Sequence, residues 1–117
     1  KGATLRLGPP RAPRLWLVEG YATGLSVLAA LRAVRSRDAV LICFSVGNLA
    51  HVSSVLGGEQ SVFADHDASG AGQAAAMATG ASWCMSPELG EDANDMHKRA
   101  GVFAVAKLMV GAAIVSG

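Results

Sequence analysis

The chain has 117 residues, enough for one domain with a hydrophobic core and too few for two. Hydrophobic residues make up 51% of the sequence and charged residues 16%, a balance that excludes an intrinsically disordered chain. The net charge of +1 by itself indicates no particular partner. The sequence starts at Lys1 without a Met and ends abruptly at Gly117, so we expect a single domain, 1–117, cut from a longer protein.

The basic residues concentrate near the start of the chain. Only Glu19 and Asp38 oppose them in the first 38 residues. This asymmetry suits the phosphate backbone of a nucleic acid, although an ordinary solvated face explains it equally well. The basic residues concerned are Lys1, Arg6, Arg11, Arg14, Arg32, Arg35 and Arg37.

The first part of the chain predicts two strands and a helix. Residues 3–7 alternate weakly and favour a short edge strand, and the prolines of 8–13 favour a loop. Residues 15–18 form a continuous apolar run, which is typical of a strand buried on both faces. Residues 22–35 then carry apolar side chains at helical spacing.

The middle of the chain repeats this alternation of strand and helix. Residues 39–44 predict a second buried strand, 45–48 a turn, and 49–56 a short helix. Residues 62–64 predict the next strand, and the small residues of 70–79 predict the helix that follows it.

The last part of the chain predicts one more strand and a C-terminal helix. Residues 81–85 favour the strand, 88–94 an acidic loop, and 95–100 a single helical turn. The apolar stretch 102–117 is shorter than the roughly 18 residues of a membrane-span candidate and is interrupted by Lys107. We therefore expect a helix that packs on the core, and no membrane partner.

Strands that alternate with helices favour an α/β domain. We expect a mostly parallel, Rossmann-like sheet of about four strands with helices on both faces. Residues 1–14 would add an edge strand and a loop, and residues 102–117 a C-terminal helix.

Two cysteines indicate the compartment. Cys43 and Cys84 lie inside apolar runs without C-x-x-C spacing, which predicts buried free thiols in a reducing environment. No apolar leader segment opens the sequence. We therefore expect a cytoplasmic protein.

Acidic residues follow three of the predicted strands. Because parallel strands end at the same edge of a sheet, carboxylates that are distant in sequence are expected to converge on one rim. The residues are Glu19 after the first buried strand, Asp65 and Asp67 after the third, and Glu91, Asp92 and Asp95 after the fourth.

The pair Asp65 and Asp67 predicts a site for a divalent cation. On a regular strand both side chains point to one side, while His66 points away. Two adjacent carboxylates repel each other, and Mg²⁺ relieves the repulsion. The same residues also fit a plain strand-to-helix turn in which Asp67 or Ser69 caps the helix.

This pattern resembles the Toprim domain, the catalytic module of bacterial-type primases, type IA and type II topoisomerases, OLD-family nucleases and RecR-like recombination proteins. Its signature is a strand ending in Glu-Gly and a later strand ending in Asp-x-Asp, which Glu19-Gly20 and Asp65-His66-Asp67 match. The resemblance runs from about residue 2 to about residue 101. Three segments are similar to the Toprim segments of phage and plasmid primases or primase-helicases: 19–26, 47–49 and 92–97.

The resemblance implies a role for each matching residue. Glu19 would act as general acid/base or as a metal ligand, and Asp65 and Asp67 would hold Mg²⁺ or Mn²⁺. Asp92 and Asp95 would lie near a second metal or in the outer shell of the site. The expected nucleotide or nucleic-acid contacts are Gly20, Asn48, Arg32, Arg35 and Lys98.

The sequence also departs from the Toprim pattern. Thr23 stands where many bacterial primases carry Asp, and Ala93 stands where we expect an aromatic residue in the phage and plasmid group. A third Asp-x-Asp is replaced by Asp92-Ala93-Asn94-Asp95. The number of metals is therefore open, and Asp92 and Asp95 also fit a helix N-cap with a reciprocal acidic residue.

We expect a Mg²⁺-dependent module of a DNA primase, which makes RNA primers from nucleoside triphosphates on a single-stranded DNA template. A fused or associated helicase and a zinc-binding domain are the expected protein partners. Two alternatives stay open: phosphodiester chemistry as in Toprim-type nucleases or topoisomerases, and a non-catalytic nucleic-acid-binding or assembly module.

Overall fold

Five strands and five helices occur in the computed structural model, which describes residues 2–116 and, over 113–116, the backbone alone. Lys1, one of the N-terminal basic residues, and Gly117, the end of the predicted C-terminal helix, lie outside the described residues. The strands are β1 (Leu5–Leu7), β2 (Arg14–Val18), β3 (Ala39–Ile42), β4 (Glu59–Phe63) and β5 (Ser82–Cys84). The helices are α1 (Tyr21–Ala33), α2 (Val46–Val55), α3 (Ala71–Ala78), α4 (Ala93–Ala100) and α5 (Val102–Ser116).

The strands form one sheet in the order β1-β3-β2-β4-β5. β1 pairs antiparallel with β3, and all other neighbours are parallel. Leu17 at the centre of the sheet lies opposite Leu41 on one side and Val62 on the other. The predicted α/β class and mostly parallel sheet are confirmed. β1 is the edge strand that was expected in addition to about four strands.

Helices cover the sheet on both faces. α1, α4 and α5 pack on one face around Trp16, Ile42 and Phe63. α2 and α3 pack on the other face around Leu17 and Val62. Side chains alternate along a strand, so successive residues of β2 enter opposite layers of the core. Within residues 2–116, no helix has both the length and the apolar character needed to cross a bilayer.

Both cysteines are free and buried, as the sequence predicted. Cys84 belongs to the layer beneath α5, and Cys43 to the layer beneath α2. Burial raises the pKa of the Cys43 thiol to about 11 and that of Cys84 to about 12. Both thiols therefore stay protonated at neutral pH and act as small apolar core residues.

The direction of the chain across the sheet changes between β2 and β4. From β2 the chain runs through α1 to β3 on one side, and then through α2 back across to β4 on the other side. The loops after β2 and β4 therefore diverge to opposite faces and leave a crevice at the carboxyl edge. Open α/β sheets bind their ligands in such a crevice.

The segment after β3 is helical earlier than predicted. α2 begins at Val46 and not at residue 49, because Ser45 is its N-cap. The Asn48 N–H donates to Ser45 Oγ at 3.0 Å, which satisfies one free amide of the first turn. The prediction of a turn over 45–48 was therefore wrong.

Two other elements also begin earlier than predicted. β4 starts at Glu59 and not at residue 62, because its polar first half pairs in register with Arg14–Trp16 of β2. α4 starts at Ala93 and not at residue 95, because Asp92 caps it. A pattern of apolar residues cannot predict either of these starts, because each depends on polar residues.

α1 approaches the sheet most closely at Gly24. A Cβ atom on this glycine would lie 2.7 Å from Cγ1 and 2.8 Å from Cδ1 of Ile42. It would also lie 3.4 Å from Cγ2 of Val18. The missing side chain therefore sets the distance between α1 and the sheet, and with it the position of the neighbouring Thr23.

We expect Gly24→Ala to lower the free energy of unfolding by about 1–3 kcal/mol, because the added methyl overpacks against Ile42. Urea denaturation measures the change. Gly47→Ala is the matched control, since no atom lies within 4 Å of a Cβ at that helical position. The control is expected to be neutral or to stabilise by ~0.5–1 kcal/mol. Equal stability of Gly24→Ala and the wild type would contradict the tight contact.

Candidate active site

Acidic side chains from three parts of the chain meet at the carboxyl edge of the sheet. Glu19 follows β2, Asp65 and Asp67 follow β4, and a further acidic group precedes α4. Together they border a cleft of about 220 Å³. The lining residues are Glu19, Asp65, His66, Asp67, Gly90, Glu91, Asp92 and Asp95. The cleft lies where the loops after β2 and β4 diverge, so the expected convergence of the strand ends is present.

Asp65 is the carboxyl group of this cleft whose pKa is raised by its surroundings. Its carboxylate is half-buried, and Thr23 Oγ1 donates to its Oδ1 at 3.2 Å. Burial, and after it the negative charges of Glu19, Asp92 and Asp67, together raise the pKa of Asp65 from 3.8 to about 6, although the Thr23 hydrogen bond lowers it. The ionised form of Asp65 therefore lacks a compensating positive charge.

Asp67 is held by the beginning of α3. Its Oδ1 accepts a hydrogen bond from Ser69 Oγ at 2.8 Å and one from the Ala71 N–H at 3.2 Å. The Ser69 hydroxyl, followed by backbone N–H groups of the first turn, lowers the pKa of Asp67. Asp67 is therefore ionised and oriented. The N-cap of α3 is Gly70 and not Asp67 or Ser69, although Asp67 bonds the N–H of Ala71 in the first turn.

The pair lies beyond the end of the strand. β4 ends at Phe63, so strict strand alternation does not position Asp65 and Asp67. His66, which also lines the cleft, contacts the loop after β5. Its Nδ1 lies 2.8 Å from the Ser86 carbonyl oxygen, which can only accept, so Nδ1 carries the proton.

Gly72 lets α3 start directly against Asp65. A Cβ atom on Gly72 would lie 2.5 Å from the carbonyl oxygen of Asp65 and 3.3 Å from its backbone nitrogen. Gly72 was not among the predicted site residues. The signal available was two glycines, at 70 and 72, directly after the acidic pair.

Asp92 and Asp95 form a capping box at the start of α4. The Asp95 N–H donates to Asp92 Oδ1 at 2.8 Å, and the Asp92 N–H donates to Asp95 Oδ2 at 3.1 Å. The reciprocal N-cap that the sequence allowed is therefore present. Asp92 is also close enough to Asp65 to raise its pKa, so it belongs to the electrostatics of the cleft as well.

Glu91 differs from Asp65 because its charge is balanced. Arg99 Nε donates to Glu91 Oε2 at 2.7 Å and Arg99 Nη2 to Oε1 at 3.0 Å, and the Ser86 hydroxyl also donates to Oε1. The Arg99 and Ser86 hydrogen bonds lower the pKa of Glu91 to about 2. This network fixes the loop between β5 and α4, and neither Ser86 nor Arg99 was among the predicted site residues.

The residues expected to contact nucleic acid are scattered. Gly20 is the N-cap of α1, directly beside Glu19. The Asn48 amide group instead holds backbone: its Nδ2 donates to the carbonyl oxygens of Ala3 at 2.8 Å and Cys43 at 2.9 Å. Its Oδ1 accepts from the Gly2 N–H at 2.7 Å. Contact of Gly20 or Asn48 with a nucleotide stays a prediction.

The structure does not bring the three predicted basic residues to the cleft. α1 begins at the carboxyl edge and has 13 residues. Such a helix is about 20 Å long, so Arg32 and Arg35 at its end lie toward the opposite edge of the sheet. Lys98 is exposed in the second half of α4 and does not line the cleft.

The cleft fits a hard divalent cation in its chemistry. Within residues 2–116, no three carboxylate, imidazole or thiol groups are already placed to hold a metal ion together. Asp67 directs one oxygen to α3, and the remaining carboxylates repel one another. The donors are all carboxylate oxygens, which Mg²⁺ and Mn²⁺ prefer, and Asp65 lacks a balancing charge. Metal binding by Glu19, Asp65, Asp67, Asp92 and Asp95 stays a prediction.

These features define a class of protein: an α/β domain whose acidic residues meet at the switch point of a mostly parallel sheet. The family model of the Toprim domain matches residues 14–102. The chain belongs to the Toprim family, and the resemblance found in the sequence is confirmed at that level. Comparison with curated proteins and with solved structures gave no match.

We expect Asp65→Asn to stabilise the protein above neutral pH but not in acid. Folded Asp65 keeps its proton up to a pKa of about 6, whereas the unfolded carboxyl releases it near 3.8. Its contribution to stability is therefore complete below about pH 4 and is lost as the pH rises through about 6. Asn cannot ionise, so the variant should be more stable than the wild type by on the order of 1–3 kcal/mol at about pH 8.

Urea denaturation at about pH 4 and about pH 8 measures this difference. Glu59→Gln is the control, because the Glu59 side chain is 73% exposed at the opposite edge of the sheet. It should change stability little at either pH. If Asp65→Asn differed from the wild type by the same amount at both pH values, charge crowding at Asp65 would be excluded.

Proposed function

We propose that this chain is the catalytic module of a DNA primase, which joins nucleoside triphosphates into an RNA primer on single-stranded DNA. Toprim domains carry out nucleotidyl or phosphodiester chemistry with Mg²⁺ held by acidic residues. One observation supports this chemistry here: Glu19 and Asp65 line the same cleft. The ionised form of Asp65 lacks a balancing positive charge there. Phosphoryl transfer needs such cation-binding carboxylates.

Asp65 and Asp67 would hold the cation, with Glu19 beside them. When bound, Mg²⁺ would offset the carboxylate charges and the negative charge of the phosphate oxygens. The positions of both aspartates are fixed by neighbours: Thr23 donates to Asp65, and Ser69 and Ala71 donate to Asp67. Thr23 thus replaces the expected Asp with a neutral donor, which adds no further negative charge to the cleft.

Glu19 is the residue we propose as general base. It lies directly after β2 on the rim of the cleft, and its carbonyl oxygen accepts the Phe44 N–H at 2.7 Å. This bond fixes its backbone while the carboxylate lines the cleft. Glu19 would accept the proton of the attacking hydroxyl group of the growing primer.

The assignment to a primase depends on three segments, 19–26, 47–49 and 92–97, which are similar to phage and plasmid primases. The template would be single-stranded DNA and the substrates nucleoside triphosphates, in the cytoplasm. A helicase and a zinc-binding domain, fused or associated, would complete the enzyme. Toprim-type nucleases and topoisomerases use the same kind of acidic site, so the activity assay must separate synthesis from cleavage.

We expect Asp65→Asn and Asp67→Asn each to weaken Mn²⁺ binding on the order of 10–100-fold, because each removes a charged ligand. Asp95→Asn should weaken it less, since Asp95 caps the backbone of Asp92. Titration calorimetry or paramagnetic relaxation with Mn²⁺ measures all three. Binding should also weaken below about pH 6, where a proton competes for Asp65.

Primer synthesis from nucleoside triphosphates on single-stranded DNA is then assayed with Mg²⁺ and with a chelator. Glu19→Gln should abolish synthesis while leaving the fold intact, which circular dichroism checks. Equal losses of Mn²⁺ affinity in all three aspartate variants would contradict the ranking. Cleavage of DNA without synthesis would identify a nuclease, and DNA binding without metal affinity would identify a non-catalytic module.

A further inference from the structure

Phe44 lies two residues beyond the end of β3 and has an unusual backbone conformation. Its φ is 70°, in the left-handed region that bulky side chains rarely adopt. Glycine adopts this conformation without strain, so the fold alone would favour glycine at this position. The sequence instead has an aromatic residue, and its side chain is 56% exposed.

The neighbouring contacts explain why the backbone bends here. The Phe44 N–H donates to the Glu19 carbonyl oxygen at 2.7 Å, and the Cys43 N–H donates to the Val18 carbonyl oxygen at 2.9 Å. Directly afterwards, Ser45 caps α2. The turn is therefore fixed on both sides, and Phe44 is held in the strained conformation with its ring outside both core layers.

Phe44 forms part of the wall of a second recess. This cavity has a volume of about 430 Å³ and is lined by Ala3, Cys43, Phe44, Ser45, Gly47 and Asn48. Its size falls within the range of small-ligand pockets. The Asn48 amide fixes two of its walls, since it bonds the carbonyl oxygens of Ala3 and Cys43.

The recess lies on the same edge of the sheet as the acidic cleft. β3 is the neighbour of β2 on the side away from β4, so the order along the edge is Phe44, Glu19 and then Asp65. A hydrogen bond links the backbone of Phe44 directly to that of Glu19. A phosphorylated ligand with its phosphate at the carboxylates would therefore place an attached group near the Phe44 ring.

We infer that Phe44 is a stacking platform for a nucleobase, and that the recess beside it receives the base of a nucleotide whose phosphate lies at the acidic cleft. The inference rests on the proposed function for the position of the phosphate. A flat, exposed aromatic ring stacks on any base, and such contacts recur in proteins that bind single-stranded nucleic acids. A ring at position 44, beside the backbone of Glu19, gives the strained conformation a purpose that glycine could not serve.

Fluorescence anisotropy with labelled oligothymidylate, in the presence of Mn²⁺, tests the inference. Phe44→Gly should weaken binding about tenfold. Its melting temperature should be equal to or above that of the wild type, because glycine relieves the strain. An abasic oligonucleotide of the same length keeps the phosphates, and its affinity should be unchanged by Phe44→Gly.

Two further variants serve as comparisons. Phe44→Trp should bind oligothymidylate as well as the wild type, and its fluorescence should be quenched by oligothymidylate but not by the abasic strand. Phe103→Ala removes another exposed aromatic ring, 66% exposed on α5, and should change neither affinity nor quenching. A parallel titration with ATP shows whether the base belongs to a free nucleotide or to the strand.

A loss of affinity confined to the ligands that carry bases supports the stacking platform. Whichever of oligothymidylate and ATP binds Phe44→Gly less tightly than it binds the wild type identifies the source of the base. The inference is overturned if Phe44→Gly binds oligothymidylate and ATP as the wild type does, or if its affinity for the abasic strand falls equally. It is also overturned if the wild type binds neither oligothymidylate nor ATP. A lower melting temperature with unchanged affinity would instead identify a structural or protein-covered residue. Phe44→Gly should keep the Mn²⁺ affinity of the wild type, so failure here is distinct from failure of the metal site.

Discussion

The parallel pairing of β2 with β4 places Glu19 and Asp65 next to each other at one edge of the sheet. The last three residues of each strand are buried, so neither strand end can shift to separate the two carboxylates. Burial and neighbouring negative charge raise the pKa of Asp65 to about 6. The fold is therefore built around a local excess of negative charge, which a bound cation would relieve.

Small residues allow this arrangement. Gly24 brings α1 against β3, and Gly72 brings the first turn of α3 against the backbone of Asp65. The two helices start from neighbouring strands and leave toward opposite faces, so the cleft opens between their first turns. The opposite side of the cleft is fixed by Arg99, which balances Glu91 and holds the loop before α4. Rigid surroundings of this kind hold groups in positions that the free chain would avoid.

The sequence predicted the parts of the fold that depend on local patterns. Continuous apolar runs identified the buried strands, and their alternation with helices identified the parallel sheet, whose strand ends share one edge. The polar first half of β4 was not predicted as strand, because it is extended only through its pairing with β2. Arg32 and Arg35 were predicted as nucleic-acid contacts, and the direction of α1 carries them away from the cleft, so any such contact would lie outside it. The contacts of Thr23 and Phe44 join distant parts of the chain, and no local pattern contains them.

Asp67 serves two partners at once, and this has a consequence for α3. Its Oδ1 accepts the Ala71 N–H at 3.2 Å, so the first turn of the helix depends on the same carboxylate that faces the cleft. A cation that withdraws electron density from that carboxylate, or rotates it, weakens the bond to Ala71. If a cation binds there, hydrogen exchange at the Ala71 amide would become faster. The protection of this one backbone proton would then report whether the cleft holds a cation.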